Sequence, residues 1–555
     1  MKTTLQKSAR NCFKRVLLLL FLLLFLKSDF FTVSFESISS GYYSLTVSRI
    51  QATLEFLSSK NFKGRKTGTP EEDLTTAYLA SVFRRNGLQP ASTTHGTFIQ
   101  EFELTQALPS PESVFRRSEP HQPAAEWKIG QDFLPAPWGT ESPEVTASLA
   151  FVGYGITAPE LGYDDYSKTA VQGKIAVALS KVPDGDEKHR WDFFAQKDYE
   201  EPLEKAIRAQ ARGAAGLIII LPFNESIPAL ETINYKLART YLTSQVNQVQ
   251  IPTVLVTYPV GESLFHSDAH SLELGDIQQQ LNNGARPETF DIAGRLSLAT
   301  RYDHKSFKGK NVLAVIPGVD SNLKQECLII SAHHDHLGAG DNEEIYFGAD
   351  DDASGTTGLL ELAAAFQGGN LRPRRSILLA AWGAEELGLL GSHYYVQQPA
   401  FPLSQTIAML QLDMIGRNEE RPANAADQIE EEKPQENLNT VSIAGTVFSP
   451  DIKKLIQSCN SRVNLKLRYR YDHGQENLLK RSDQWPFLEF QVPSVFFFTG
   501  FHPDYHKPSD TADKINYQKM ERILQLVYLS AWEIADSPLR PGFVHHGSMD
   551  SKSTF

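Results

Sequence analysis

The chain has 555 residues, of which 41% are hydrophobic, 22% charged and 10% aromatic. That composition excludes a disulfide-stapled miniprotein, a disordered chain and a polytopic membrane protein, and leaves room for two or three domains. Acidic residues outnumber basic ones by 66 to 54 for a formal charge of −12, and no Lys/Arg-rich run follows the first residues, which argues against a nucleic-acid partner.

Lys2, Lys7, Arg10, Lys14 and Arg15 precede an unbroken apolar run from Val16 to Leu26, and Lys27 follows it. This is the pattern of an export signal. The run is about half of the ~20 residues that a spanning helix needs. No A-x-A site follows, so the cleavage point is open between Thr32/Ser34 and Ser37/Ser39. Residues 1–34 are therefore expected to send the protein to the periplasm or outside the cell, with membrane contact only through this segment if it stays uncut. Cys12 leaves with the signal, while Cys327 and Cys459 are compatible with a disulfide or with buried thiols.

Val47, Ile50, Leu54 and Leu57 recur at helical spacing, predicting a helix over about 44–59. Thr69-Pro70-Glu71-Glu72 is a helix start, with a capping hydroxyl, a first-turn proline and an acid three residues on, and Gly87 closes the segment. Prolines accumulate over 108–138, which reads as a linker. From about 140 to 290 come short β runs at 147–152, 174–179, 217–221 and 251–257 with a helix over 203–212. This part carries no cluster of ligating residues and is assigned no chemistry. From 311 onward, continuous apolar runs at 311–316, 327–332, 377–382, 408–412, 441–444 and 495–499 alternate with helices over 358–366 and 389–396, and a long helix covers 517–535. Such strands are buried on both faces, so the expected fold class is α/β, a layered mixed sheet flanked by helices. The acid-rich stretch 418–438 is expected to be a solvated loop.

Polar groups gather where these strands end, the edge at which open α/β sheets bind ligands. Leu328-Ile329-Ile330 runs into Ser331-Ala332-His333-His334-Asp335-His336. With His333 and Asp335 two apart in extended chain, the carboxylate can accept the imidazole N–H and aim the other nitrogen at a metal. Asp350-Asp351-Asp352 stands just before an apolar helix, either repelling anions awaiting a multivalent cation or an acidic helix cap. The 377–382 run leads to Glu385-Glu386, in which one acid can bind metal and the other carry protons. Asp413 follows the 408–412 run, and His506 lies in the Asp504–Thr511 loop. Two imidazoles with three carboxylates suit zinc, and two ions sharing one carboxylate would account for the odd ligand number.

The set His333-x-Asp335, Gly348-Ala-Asp-Asp351-Asp-Ala-Ser-Gly355, Glu385-Glu386, Leu412-Asp413-Met and Tyr505-His506 resembles the co-catalytic di-zinc aminopeptidases related to glutamate carboxypeptidase II, and the similarity reaches the Gly-Arg-x-Thr-Gly-Thr-Pro run at 64–70. The resemblance implies two Zn2+ ions, one held by His333 and Asp413, the other by Glu386 and His506, with Asp351 bridging. It further implies Asp335 as the partner of His333, Glu385 as general base and acid, a cis bond between Asp351 and Asp352, and peptides as substrates. By the same resemblance, 136–292 is an inserted protease-associated domain between 35–135 and a peptidase core at 293–540, with 541–555 as a tail. Tyr505 is a candidate oxyanion donor, and His334, His336 and His502 are supporting groups. A carboxypeptidase or dipeptidase on the same core is the alternative, with Arg417, Arg468 and Arg481 as candidate carboxylate binders. A glutaminyl cyclase or an inactive receptor-like relative ranks lower, because the ligand set is complete. Preferred substrate residue and oligomeric state are not legible.

Overall fold

The computed structural model describes residues 33–545 except 93–95, 118–125, 137, 139–140, 160–161, 168–169, 184–198, 228–239, 247, 268–269, 272, 284–289, 341, 370, 423–430 and 473–477. The apolar run at 16–26 and Cys12 lie outside the described residues, among which no helix is long and apolar enough to cross a membrane.

Ten strands form the larger sheet. Its centre is the parallel set Ser376–Trp382, Cys327–His333, Thr406–Leu412 and Ser494–Phe498, in that order. Alternate side chains supply two cores, as the period of a strand requires. Leu328, Ile330, Leu379 and Ala381 face one side, where they join the helices Phe35–Ser44, Val47–Leu57, Ala353–Gln367 and Tyr517–Asp536. Ile329, Leu378, Ala380 and Trp382 face the other, against Tyr395 and Phe487 on the helices Leu390–Gln397 and Gln484–Glu489. The fold is thus the expected helix-flanked mixed sheet. The parallel register puts His333 beside Trp382, and Leu412 beside Phe497, so the segments leaving all four strands emerge at one edge.

Two paired strands carry the second module, one that the sequence pattern did not reveal and one that it revealed only over 311–316. Ile99–Pro109 and Tyr302–Ile316 pair antiparallel from Ile99 opposite Val312 to Pro109 opposite Tyr302, and residues 110–301 lie between them in the chain. That insert builds a seven-stranded sheet from Val114–Arg117, Phe290–Ala299, Val145–Phe151, Ile175–Leu179, Gly216–Ile220, Thr253–Val256 and Phe133–Pro135. It therefore draws strands from the stretch expected to be a linker, and it reaches beyond residue 292. One of its strands, Thr240–Leu242, joins the larger sheet by pairing with Leu104–Gln106.

Of the stretch 418–438, expected to be a solvated loop, residues 423–430 lie outside the described residues; Glu420, Glu431 and Glu436 are exposed as expected, but Glu419 and Glu432 are not. Glu419 is buried, taking the Tyr471 hydroxyl at 2.6 Å and an ion pair with Arg470, while Glu432 accepts from Arg468 at 2.7 Å and Arg470 at 2.6 Å. Two arginines and a tyrosine contributed by the 468–471 segment make burial of these acids tolerable, a compensation invisible in local composition. Cys327 and Cys459 are both buried free thiols.

Candidate metal centre

The strand Cys327–His333 delivers His333 to the sheet edge, and the segments after the neighbouring strands deliver the remaining groups. His333 Nε2 lies 3.2 Å from Asp351 Oδ1, 3.6 Å from Asp413 Oδ1 and 3.9 Å from Glu385 Oε2. On the other side of Asp351, Oδ2 lies 3.1 Å from His506 Nε2, which is also 3.1 Å from Glu386 Oε2. The structure thus brings His333, Asp351, Glu385, Glu386, Asp413 and His506 together, with the two oxygens of Asp351 facing opposite imidazoles. His333, Asp351 and Asp413 each offer a ligand atom within 4.8 Å of one another, as do His336, Asp351 and Glu386. Several buried carboxylates crowded against two or three imidazoles form a mixed N/O donor set that suits zinc, and their mutual repulsion is relieved by a multivalent cation.

The local backbone explains how these side chains converge. The Asp351–Asp352 bond is cis. Asp352 turns away from the cluster and caps the helix Ala353–Gln367, accepting the Gly355 N–H at 2.8 Å, the Met414 N–H at 3.1 Å and the His333 N–H at 3.2 Å. A Cβ on Gly355 would stand 2.4 Å from the Leu412 carbonyl oxygen, so this helix start can approach the strand end only with glycine there. Ala384, Met414 and His506 have φ of 57, 55 and 55°, left-handed values rare for residues with a Cβ, each at or beside a cluster residue.

Asp335 behaves differently from its expected role. The strand ends at His333, so Asp335 lies outside the extended segment, and His333 Nδ1 sits closer to the Asp335 backbone oxygen, 3.2 Å, than to its carboxylate, 3.8 Å. The Asp335 carboxylate instead accepts the Thr67 hydroxyl at 2.9 Å and the Glu385 N–H at 3.1 Å. Thr67 also accepts the Ala384 N–H at 3.1 Å, and the fully buried Arg65 donates to the carbonyls of His334 and Gly348 at 2.9 Å each. The 64–70 run therefore clamps both segments that carry His333 and Glu385. Sequence reasoning reached this run only through resemblance. It missed Ser482 altogether, whose hydroxyl donates to Asp413 Oδ2 at 2.6 Å. His336 donates toward Glu386 Oε1 at 2.7 Å, His334 meets the Lys310 carbonyl at 2.8 Å, and His502 faces Asp350 Oδ2 at 3.3 Å.

Charge follows from this packing. Burial, reinforced by Glu386 and Asp413 and opposed by His333, pushes the Glu385 carboxyl well above the usual carboxylate range. Glu386 moves the other way, to about 2, because its bonds to His336 and His506 outweigh burial and the charge of Asp351. His506 rises to about 10 as Asp351 and Glu386 overcome its desolvation. Adjacent carboxyls held at opposite extremes are equipped for different tasks, one to ligate and one to exchange protons.

A hollow opens onto the cluster, lined by Glu385, Met414, Leu478, Phe496, Phe498 and Tyr505 among others. The Tyr505 ring stacks on His506 at 3.9 Å, and its hydroxyl takes a bond from Arg481 at 3.3 Å. Of the arginines considered for carboxylate binding, Arg417 is held by Asp504 at 3.0 Å and Arg468 by Glu432 at 2.7 Å. Arg481 alone of the three lines the hollow.

Residues 311–531 match Peptidase family M28, and residues 145–264 match the PA domain. Leupeptin-inactivating enzyme 1 of Streptomyces exfoliatus is 35% identical over 127 residues, 23% of this chain and 27% of that protein. An aminopeptidase of Pseudomonas aeruginosa strain UCBPP-PA14 is 26% identical over 374 residues, 67% of this chain and 58% of that protein. The chain thus spans 27% and 58% of these relatives' own length. Among solved structures, an aminopeptidase from Aneurinibacillus sp. strain AM-1 aligns with a TM-score of 0.49 and 22% identity, covering 91% of this chain and 96% of that one.

Proposed function

The chain carries a Peptidase family M28 domain at 311–531 and a PA domain at 145–264, and from that premise we propose that it is an exported zinc-dependent aminopeptidase that hydrolyses N-terminal residues from peptides. The observation that carries the reading is the position of Glu385. It is a nearly buried carboxyl, 11% exposed, beside a buried imidazole–carboxylate cluster and facing a hollow that has Met414, Leu478, Phe496 and Phe498 on part of its wall. His333 and Asp413 would hold one zinc, Glu386 and His506 a second, and Asp351 both. When bound, zinc supplies Lewis acidity, polarising the scissile carbonyl and making water acidic enough to attack near neutral pH.

The protein's own groups do the rest. Glu385 takes a proton from the attacking water and returns it to the leaving amine, a task suited to a carboxyl that burial holds above the usual carboxylate range. Asp335 fixes the Glu385 backbone through its N–H. The Tyr505 phenol, kept protonated by burial and by the nearby Asp351 and Glu386, donates to the oxygen on which charge develops, and Arg481 steadies it. Met414, Leu478, Phe496 and Phe498 give the N-terminal side chain an apolar seat, so leucine-like residues are favoured.

The test is a panel of aminoacyl-nitroanilides and peptides with free or acetylated amines, run with zinc-loaded protein. Hydrolysis is expected only where the amine is free, and Glu385→Ala is expected to lower kcat about 10^3-fold with zinc content unchanged. Cleavage of acetylated peptides from their carboxyl end would replace this reading with the carboxypeptidase alternative.

A further inference from the structure

Beyond the metal cluster the hollow continues into an open groove lined by Arg421, Arg481, Phe501 and Lys507, and among the described residues this lining contains no carboxylate. Arg481, Phe501 and Tyr505 line both spaces, so the two form one path, whereas Arg421 and Lys507 belong to the outer part alone. The guanidinium groups of Arg421 and Arg481 stand 5.9 and 5.0 Å from the centre of the Phe501 ring, and Arg421 also donates to the Tyr471 hydroxyl at 3.3 Å and lies 3.9 Å from the buried Glu419. Arg481 donates to the Tyr505 hydroxyl, and the exposed Lys507 donates to the Pro503 carbonyl oxygen. His502 also borders the groove, but its Nε2 is turned inward to Asp350 at 3.3 Å. In a chain with formal charge −12, a cationic strip leading out of the cluster marks the place where a substrate's negative charge is welcome.

We propose that this groove receives a carboxylate on the leaving side of the scissile bond, so that the enzyme prefers peptides bearing an anion one or two residues beyond the cleavage point. The C-terminus of a dipeptide or tripeptide supplies such a group, and so does an acidic side chain at the same place. The proposal rests on the aminopeptidase reading, which seats the N-terminal side chain against Met414, Leu478, Phe496 and Phe498 in the hollow. Extended chain advances about 3.3–3.6 Å per residue. In the order of the path, a carboxylate nearer the scissile bond is assigned to Arg481, which lines both spaces, and one further along to Arg421 and Lys507, which line the outer part alone. The planar guanidinium fork suits a carboxylate, and the lysine adds a point charge.

The experiment compares kcat/KM of the zinc-loaded full chain on Leu-Gly-Gly against its C-terminal amide, and on Leu-Glu-Gly amide against Leu-Gln-Gly amide. Leucine p-nitroanilide, which has no carboxylate, is the reference. The anionic member of a pair is expected to be favoured about tenfold through KM, with the advantage shrinking as salt is raised. Arg421→Gln combined with Lys507→Gln is expected to erase it while nitroanilide turnover changes less than about twofold. Separation of the first pair alone assigns the site to a chain terminus, and of the second alone to a side chain. If the double variant folds poorly, Lys507→Gln by itself and the salt dependence of the intact protein carry the same comparison. Equal kcat/KM within both pairs, or a preference that survives the substitutions, overturns the proposal while nitroanilide cleavage leaves the aminopeptidase reading standing. Failure to cleave any free-amine substrate overturns that reading itself.

Discussion

Thr67→Val tests whether the 64–70 run holds the site in register. Thr67 is 5% exposed, and its hydroxyl both donates to Asp335 Oδ2 at 2.9 Å and accepts the Ala384 N–H at 3.1 Å. Valine keeps the shape and removes both bonds. A bond to a charged acceptor contributes about 1.5–3 kcal/mol and an orphaned buried N–H costs about 1–3 kcal/mol, so the expected loss of stability is about 3–5 kcal/mol. Activity should suffer separately. Ala384 precedes Glu385, whose own N–H binds the other oxygen of Asp335, so losing one anchor lets the Glu385 carboxyl, the proposed proton carrier, drift. Displacement of about 1 Å can cost about 100-fold in rate. Urea unfolding and kcat on leucine p-nitroanilide read the two effects, and Thr67→Ser should restore most of both. A valine variant within about 0.5 kcal/mol and twofold of the parent would refute the clamp, since surface-like substitutions fall in that range.

Other expectations follow from buried charge. Burial raises Glu72 from 4.5 to about 8, with the Gly68 and Lys310 N–H groups and the Lys310 charge opposing. Because the folded value is the higher one, the stability Glu72 contributes is full below 4.5 and is lost as pH rises through about 8. Glu72→Gln should therefore flatten the decline in urea midpoint between about pH 5.5 and 8.5, and an unchanged slope would contradict the assignment. Arg470→Met leaves Glu419 and Glu432 short of a partner and should cost about 3 kcal/mol by thermal unfolding, with Glu432→Gln recovering part of it. Stripping zinc should lower stability by about 4 kcal/mol per ion relative to free zinc about 1,000-fold above its Kd, read as a chelator-dependent fall in Tm. No change in Tm on chelation would argue against resident ions.

The parallel strands were legible because burial on both faces leaves an unbroken apolar run, as in Cys327-Leu328-Ile329-Ile330 and Ser376–Trp382. The imidazole–carboxylate cluster was legible because each of its residues follows such a run or sits in a marked loop. Ile99–Pro109 is not legible because Glu101 and Glu103 interrupt its buried residues and Gln100 and Gln106 put amides among them, and the Tyr302–Lys310 half of its partner is largely exposed. The burial of Glu419 and the role of Ser482 depend on contacts with segments 50 or more residues away, Glu419 with Tyr471 and Ser482 with Asp413. Local composition holds no trace of them. Asp335 shows a finer limit, since two-residue spacing places side chains on one face only while the strand lasts, and this strand stops at His333.

Because the inserted segment departs at Pro109 and returns at Tyr302, directly opposite in the ladder, a tight hairpin of two to five residues could in principle reconnect the chain without it. Deletion would nonetheless strip Thr240–Leu242 from the flank of Ile99–Pro109. The bared backbone would present unpaired N–H and C=O groups, a template for self-association. The insert thus doubles as a protective edging for the catalytic sheet, and a truncated version should be sought among oligomers and aggregates before it is assayed as a monomer.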